Sequence, residues 1–230
     1  MKICDLKQAE LYADTDQFNK AIAAFNNALK KGSLKVQKEQ GVFLSVLEEK
    51  LGVVSGHVET VHAYTNDQNL IDNIHKGDRR GRAAGMNMVM TETGAAKAVS
   101  KAIPSLEGKL SGSAIRVPVI NVSIAVLSLN LKTETSVEEI NALLKAASNS
   151  AELTGQIGYS EEADAVSSDF IGSQQAGILD SLSTKVRGNQ ATLYVWYDNE
   201  YGYSCQVVRL MEKLAQANLL SEQLVEDQAA

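Results

Sequence analysis

A chain of 230 residues that is 44% hydrophobic and 22% charged carries enough apolar material for one sizeable core, or a core and a small appendage. Its 22 basic and 28 acidic residues are interspersed and give a formal charge of −6, so no basic stripe is available to follow a phosphate backbone and nucleic acid is not an expected partner. No run approaches the roughly 18 apolar residues that span a bilayer, and the polar opening of the chain is not a signal-peptide core, so a cytoplasmic protein without a membrane partner is expected.

From Asp5 to Lys31 the apolar residues Leu11, Ala21, Ile22, Phe25, Ala28 and Leu29 recur at helical spacing, interrupted by Asp14-Thr15-Asp16-Gln17. This predicts two short helices joined by a turn. The second resembles the second helix of a tetratricopeptide repeat, an architecture that needs stacked neighbours to bury its apolar face. An ordinary amphipathic hairpin reads equally from the same spacing. Gly32-Ser33 marks the junction, so residues 1–34 are expected to be a helical appendage and residues 35–218 the main domain. Val42, Leu44, Val46, Leu47 and Leu51 predict a further helix closed by Gly52.

Beyond it, His57–Thr65, Ala114–Leu131, Ile178–Val186 and Ala191–Tyr197 are rich in valine, isoleucine, threonine and tyrosine and read as strands. Thr93–Ala102 and Ser136–Ala147 read as helices, the latter with Ser136 and Glu139 at capping-box spacing. Tyr203, Val207, Leu210, Met211 and Leu214 form one helical stripe. Residues 219–230 read as a frayed acidic tail. Strands in succession with helices set apart predict an α+β fold, a largely antiparallel sheet with helices on one face and no Rossmann domain.

The two cysteines, Cys4 and Cys205, lie in unrelated segments with no second thiol or paired histidine near either, so neither a disulfide framework nor a zinc site is expected. His57 and His62, five residues apart on a strand, point to opposite faces and are not a metal pair. No metal is implied.

Several motifs then agree in order and spacing: His62-Ala63-Tyr64-Thr65, Asp78-Arg79-Arg80-Gly81-Arg82, Thr93-Gly94-Ala95-Ala96-Lys97, Arg116-Val117-Pro118, Asn121-Val122-Ser123 and Trp196-Tyr197-Asp198-Asn199-Glu200-Tyr201-Gly202-Tyr203. From about Val42 to Ala215 the chain resembles the catalytic domain of phosphorylating glyceraldehyde-3-phosphate dehydrogenases. That family attacks an aldehyde with a cysteine thiolate, passes hydride to NAD and releases the thioester with phosphate as an acyl phosphate, in glycolysis. The resemblance implies a base at His62, where an imidazole suits activation of a thiol. It implies binding of the substrate phosphate by Arg116, supported by Thr65 and Asp67, and of inorganic phosphate by Thr93 and Gly94 at a predicted helix N-terminus. It implies contacts to the nicotinamide end of NAD from Asn199 and Tyr203. Trp196, Tyr197 and Tyr201 read as packing residues. Arg79-Arg80-Gly81-Arg82 reads either as a solvated basic turn or as part of the loop that reaches a neighbouring subunit's cofactor in the family.

The chain also departs from the family. Counting back from His62 by the family's spacing of about 27 residues lands on Lys35, where the family has its nucleophilic cysteine. No cysteine stands there. Residues 1–41 hold no glycine-rich turn and are too short for a dinucleotide-binding half. Val119-Ile120 replaces the family's usual threonine and proline, which removes a hydroxyl beside Arg116. The expectation is therefore a truncated dehydrogenase-type oxidoreductase that is inactive alone, the alternative being a non-catalytic interaction protein on the same scaffold. Absence of the dinucleotide domain is expected to uncover apolar surface on the helix Val42–Leu51 and around Tyr203, favouring self-association.

Overall fold

The computed structural model describes residues 40–213, so the predicted helices and repeat likeness of residues 5–31, Cys4, Lys35 and the tail 219–230 lie outside the described residues. The chain divides into two compact units, residues 37–206 and the two ends, residues 1–36 with 207–230. The larger unit contains the features developed below.

Its first helix, α1 (Gly41–Lys50), stops because Gly52 takes the left-handed conformation at φ 66° and its N–H returns to the Leu47 carbonyl at 3.0 Å. The strand β1 (Val53–Ala63) follows at once. After a long loop, residues 64–88, come β2 (Val89–Glu92), α2 (Ala95–Ala102) and β3 (Leu110–Val117). Then β4 (Ser123–Leu131), α3 (Val137–Ser148), β5 (Ile157–Ser160), β6 (Gly177–Asp180), β7 (Lys185–Arg187) and β8 (Gln190–Tyr197) complete the elements, before a helix over 201–213.

The eight strands form one sheet in the order β2-β3-β1-β4-β8-β6-β5, with β7 also paired to β8. Most pairings are antiparallel; β1 with β3 and β5 with β6 are parallel. The α+β expectation holds, and the parallel pairs mark the two places where the chain crosses over before rejoining the sheet. Two predicted strands are each broken in two. Ala114–Leu131 divides at Pro118, which has no N–H to give a ladder, and at Val122, whose φ of 67° costs a β-branched residue roughly 1–2 kcal/mol. Ile178–Val186 divides at a 3₁₀ turn over Ser181–Ser183, which the Asp180 carboxylate caps through Ser183 N–H.

Alternation sets the two faces. Ala125, Leu127, Leu129 and Leu131 of β4 and Ala191, Leu193, Val195 and Tyr197 of β8 are buried with Phe43, Leu44 and Leu47 of α1, Val99 of α2 and Ile140 and Leu144 of α3. Each large side chain of this kind contributes about 1.5–3 kcal/mol by leaving water. The burial of α1 corrects the expectation that this helix offers bare apolar surface. Around the other expected position Tyr203 alone among the described residues 201–213 is an exposed large apolar side chain, at 41%, and larger exposure falls on the loop 64–88 at Leu70, Ile71, Ile74, Met86 and Met88. Ser136 accepts the Glu139 N–H at 3.1 Å, so α3 starts where its cap places it.

Candidate active site

On β1 the even-numbered residues Val58 and Thr60 face the helices, and His62 continues the same face to the end of the strand, where a cleft of about 370 Å³ opens. Parallel pairing sets His62 beside Arg116 and Thr60 beside Ala114. The cleft is lined by His62, Thr65, Thr93, Gly94, Arg116 and Asn199, together with Gln40, Thr60, Arg80, Glu92, Tyr197 and Glu200. Six residues singled out from the sequence thus meet at one place although they lie as far apart as positions 62 and 199.

His62 Nδ1 lies 2.7 Å from its neighbour's carbonyl, Ala63 O, and 3.0 Å from Arg116 Nη1. Ala63 O can only accept from Nδ1 and Arg116 Nη1 can only donate to it, so the two contacts ask opposite roles of this nitrogen; the tautomer that serves Ala63 O carries its proton on Nδ1 and its lone pair on Nε2. Arg116 Nη1 then donates to Ala63 O at 3.1 Å and to Thr65 Oγ1 at 3.3 Å. Burial, reinforced by the positive charge of Arg80, holds the Arg116 guanidinium below its ordinary pKa, and its buried Nε has no protein partner. The Tyr197 ring meets His62 edge-on, with centroids 6.1 Å apart. The tyrosine read as packing is therefore buried and also lines the site.

Ser123 ties the site together. Its hydroxyl accepts the Ala63 N–H at 3.1 Å and donates to Asn199 Oδ1 at 3.0 Å, joining the end of β1 to the turn after β8. Asp198, 1% exposed, accepts N–H groups from Glu200 and Tyr201 on one oxygen and from Gly172 and Asn121 Nδ2 on the other. That carboxylate caps the helix opening at 201 and pins the turn carrying Asn199.

Two predicted residues stand apart. Asp67 does not line the cleft; its carboxylate pairs with Arg80, lies 3.6 Å from His75 Nε2 and is held below the usual carboxylate range by the Arg80 hydrogen bond first. Tyr203 is exposed and does not line the cleft. Arg80, read only as one of a basic run, bridges Asp67 and Thr91 Oγ1, the latter at 3.0 Å, and reaches the cleft. Sequence reading missed Gln40, Thr60 and Glu92; for Thr60 the even spacing from His62 was the available signal. His57 lies on the opposite face of β1, against Ser111 and Ser113.

The family described as glyceraldehyde 3-phosphate dehydrogenase, C-terminal domain, matches residues 41–199. Among curated relatives, a glyceraldehyde-3-phosphate dehydrogenase-like protein of Pseudomonas aeruginosa is 56% identical over 175 residues, 76% of this chain and 38% of the relative. Glyceraldehyde-3-phosphate dehydrogenase 1 of Bacillus cereus is 52% identical over 73% of this chain and 50% of its own length. The Geobacillus stearothermophilus enzyme is 49% identical over 77% and 52%. The chain spans about half, or less, of the relatives it matches. By this match the chain belongs to the glyceraldehyde-3-phosphate dehydrogenase family, of which it carries the C-terminal domain.

Proposed function

We propose that the cleft binds a phosphorylated aldehyde or inorganic phosphate as in a glyceraldehyde-3-phosphate dehydrogenase, and that this chain alone does not turn over. The observation carrying this reading is Arg116: a half-buried guanidinium whose buried Nε has no partner, beside Thr65, Thr93 and Gly94 in one small cleft. A partly dehydrated guanidinium fork with an open N–H is suited to a phosphate oxygen, and hydroxyls and backbone N–H groups add further donors. Arg116 and Thr65 take the substrate phosphate in this reading, with Asp67 acting through Arg80, while Thr93 and Gly94 take inorganic phosphate.

His62 is the base, oriented by Ala63 O so that Nε2 accepts a proton. At the spacing where the family has its nucleophilic cysteine this chain has Lys35. The sequence contains no cysteine from residue 5 to residue 204, and Cys205 is buried. Loss of a nucleophile costs on the order of a million-fold in a well-studied hydrolase.

The family's NAD would supply a hydride acceptor when bound. Its fit to the described residues is confined to Asn199, since Tyr203 lies outside the cleft lining and no strand–glycine turn–helix unit of the dinucleotide-binding type occurs among them. The Asn199 carboxamide is oriented by Ser123 and offers its N–H₂ to a ligand amide. Such a contact alone covers little of the surface that gives a dinucleotide its affinity. Self-association is the further part of this reading, supported by the exposed apolar side chains of the loop 64–88.

NADH formation from glyceraldehyde 3-phosphate, with phosphate and saturating NAD, tests the proposal. The purified chain is expected to show no turnover above background. Phosphate-dependent turnover at ordinary enzyme rates, abolished in Cys205→Ser, would overturn it.

A further inference from the structure

Two polar side chains in the cleft carry buried atoms without a partner. Gln40 and Thr60 are each 2% exposed, both line the cleft, and Gln40 Oε1 and Thr60 Oγ1 have no hydrogen-bond partner. Gln40 occupies the N-cap position of α1 yet its side chain makes no capping bond. An apolar residue of similar size would avoid the cost of leaving a polar atom orphaned, so two such atoms in one cleft point to a ligand that satisfies them.

The chemistry narrows that ligand. As placed, Gln40 Oε1 is an acceptor and calls for a donor. An ammonium would donate, but it would lie in a cleft already lined by Arg80 and Arg116. A hydroxyl both donates and accepts, and it serves Gln40 even when the side-chain amide is turned over to present its N–H₂. Thr60 Oγ1 accepts from or donates to the same kind of group. The volume of about 370 Å³ is at the small end for ligand sites and suits a short carbon chain.

We propose that Gln40 and Thr60 are specificity-determining residues that read the hydroxyl groups of a short polyol phosphate, while Arg116 holds the phosphate. This rests on the phosphate reading above and adds to it two residues and a selectivity. An aldehyde that has no thiol to trap it presents the same hydroxyls as its hydrate, so the two readings concern one ligand class.

Calorimetric titration of the full chain with glycerol 3-phosphate and with propyl phosphate, which has the same charge and no hydroxyl, tests it. Glycerol 3-phosphate is expected to bind about tenfold more tightly, the worth of one net hydrogen bond or slightly more. Gln40→Leu and Thr60→Val each bring that ratio to near one, Thr60→Ser keeps it, and Arg116→Met weakens both ligands together. Thermal melts identify any variant that fails to fold; should Gln40→Leu fail, the Thr60→Val and Thr60→Ser pair decides alone. Equal affinity of the unaltered chain for the two ligands, with phosphate binding intact, overturns the hydroxyl reading only. A ratio that survives both Gln40→Leu and Thr60→Val overturns it as well. No binding of either ligand overturns the phosphate reading and this one with it.

Discussion

Asp198→Asn removes one acceptor oxygen and nothing of the side chain's size. In the native chain Oδ1 accepts the Glu200 and Tyr201 N–H groups at 2.9 and 2.8 Å, and Oδ2 accepts Gly172 N–H at 2.8 Å and Asn121 Nδ2 at 3.0 Å, all at a residue 1% exposed. Whichever way the new amide turns, two of these four donors face an N–H₂ and lose their acceptor. Hydrogen bonds to a charged acceptor are worth about 1.5–3 kcal/mol each, and the two losses are not fully additive, so destabilisation of about 3–5 kcal/mol is expected. Urea unfolding measures it as a shift in midpoint at unchanged slope. Because Asp198 precedes Asn199 and pins Asn121, two residues before Ser123, the variant is also expected to disturb the Ser123–Asn199 contact. A loss below about 1 kcal/mol would show that these four bonds are replaceable by water and would refute the argument from burial.

Gly202→Ala is expected to destabilise by about 1–3 kcal/mol, because a Cβ there would lie 2.7 Å from the Gln175 carbonyl oxygen, whereas Gly85→Ala, with open space around it, should leave the melting temperature nearly unchanged. Asp67 and Asp72 are both held below the ordinary carboxylate range, Asp67 first by Arg80 and Asp72 first by the Ala83 N–H. A depressed carboxylate contributes stability above its unfolded pKa and loses it as pH falls through the lower folded value, so any destabilisation by Asp67→Asn or Asp72→Asn should be present at neutral pH and vanish below the ordinary carboxylate range in paired thermal melts. Sedimentation should show concentration-dependent self-association that weakens in Ile74→Ser combined with Met86→Ser, the residues 96% and 85% exposed in the native chain.

Where local signals agreed, the sequence was easy to read. Ser136 and Glu139 start α3 because one caps the other, and Gly52 ends α1 because only a residue at ease with positive φ continues the chain there. The alternation of β4 and β8 names the buried face directly. The break between β3 and β4 was half visible: Pro118 announces it, but nothing local in Val122 predicts a φ that its branched side chain disfavours. Tertiary contacts hold it there, with Val122 buried against Phe170 and Ile178. The cleft was legible through motifs at His62, Thr93, Arg116 and Asn199. Asp67 and Tyr203 show the limit of that route, since a motif fixes a residue's place along the chain but not which way its neighbours draw it: Arg80, thirteen positions on, takes Asp67 away from the cleft lining. Gln40 became visible only in three dimensions, and Thr60 had only its even spacing from His62 to mark it, because a missing hydrogen bond leaves no pattern in a sequence.

The central claim is that a half-buried, partly unpaired Arg116 makes this cleft a phosphate site. The direct test is titration of the chain with inorganic phosphate at fixed pH and ionic strength, followed by the ring resonances of His62, whose Nδ1 lies 3.0 Å from the Arg116 guanidinium. A saturable shift of those resonances, lost in Arg116→Met and not reproduced by chloride, is the predicted result. No saturable response, or one that persists unchanged without the guanidinium, would contradict the claim.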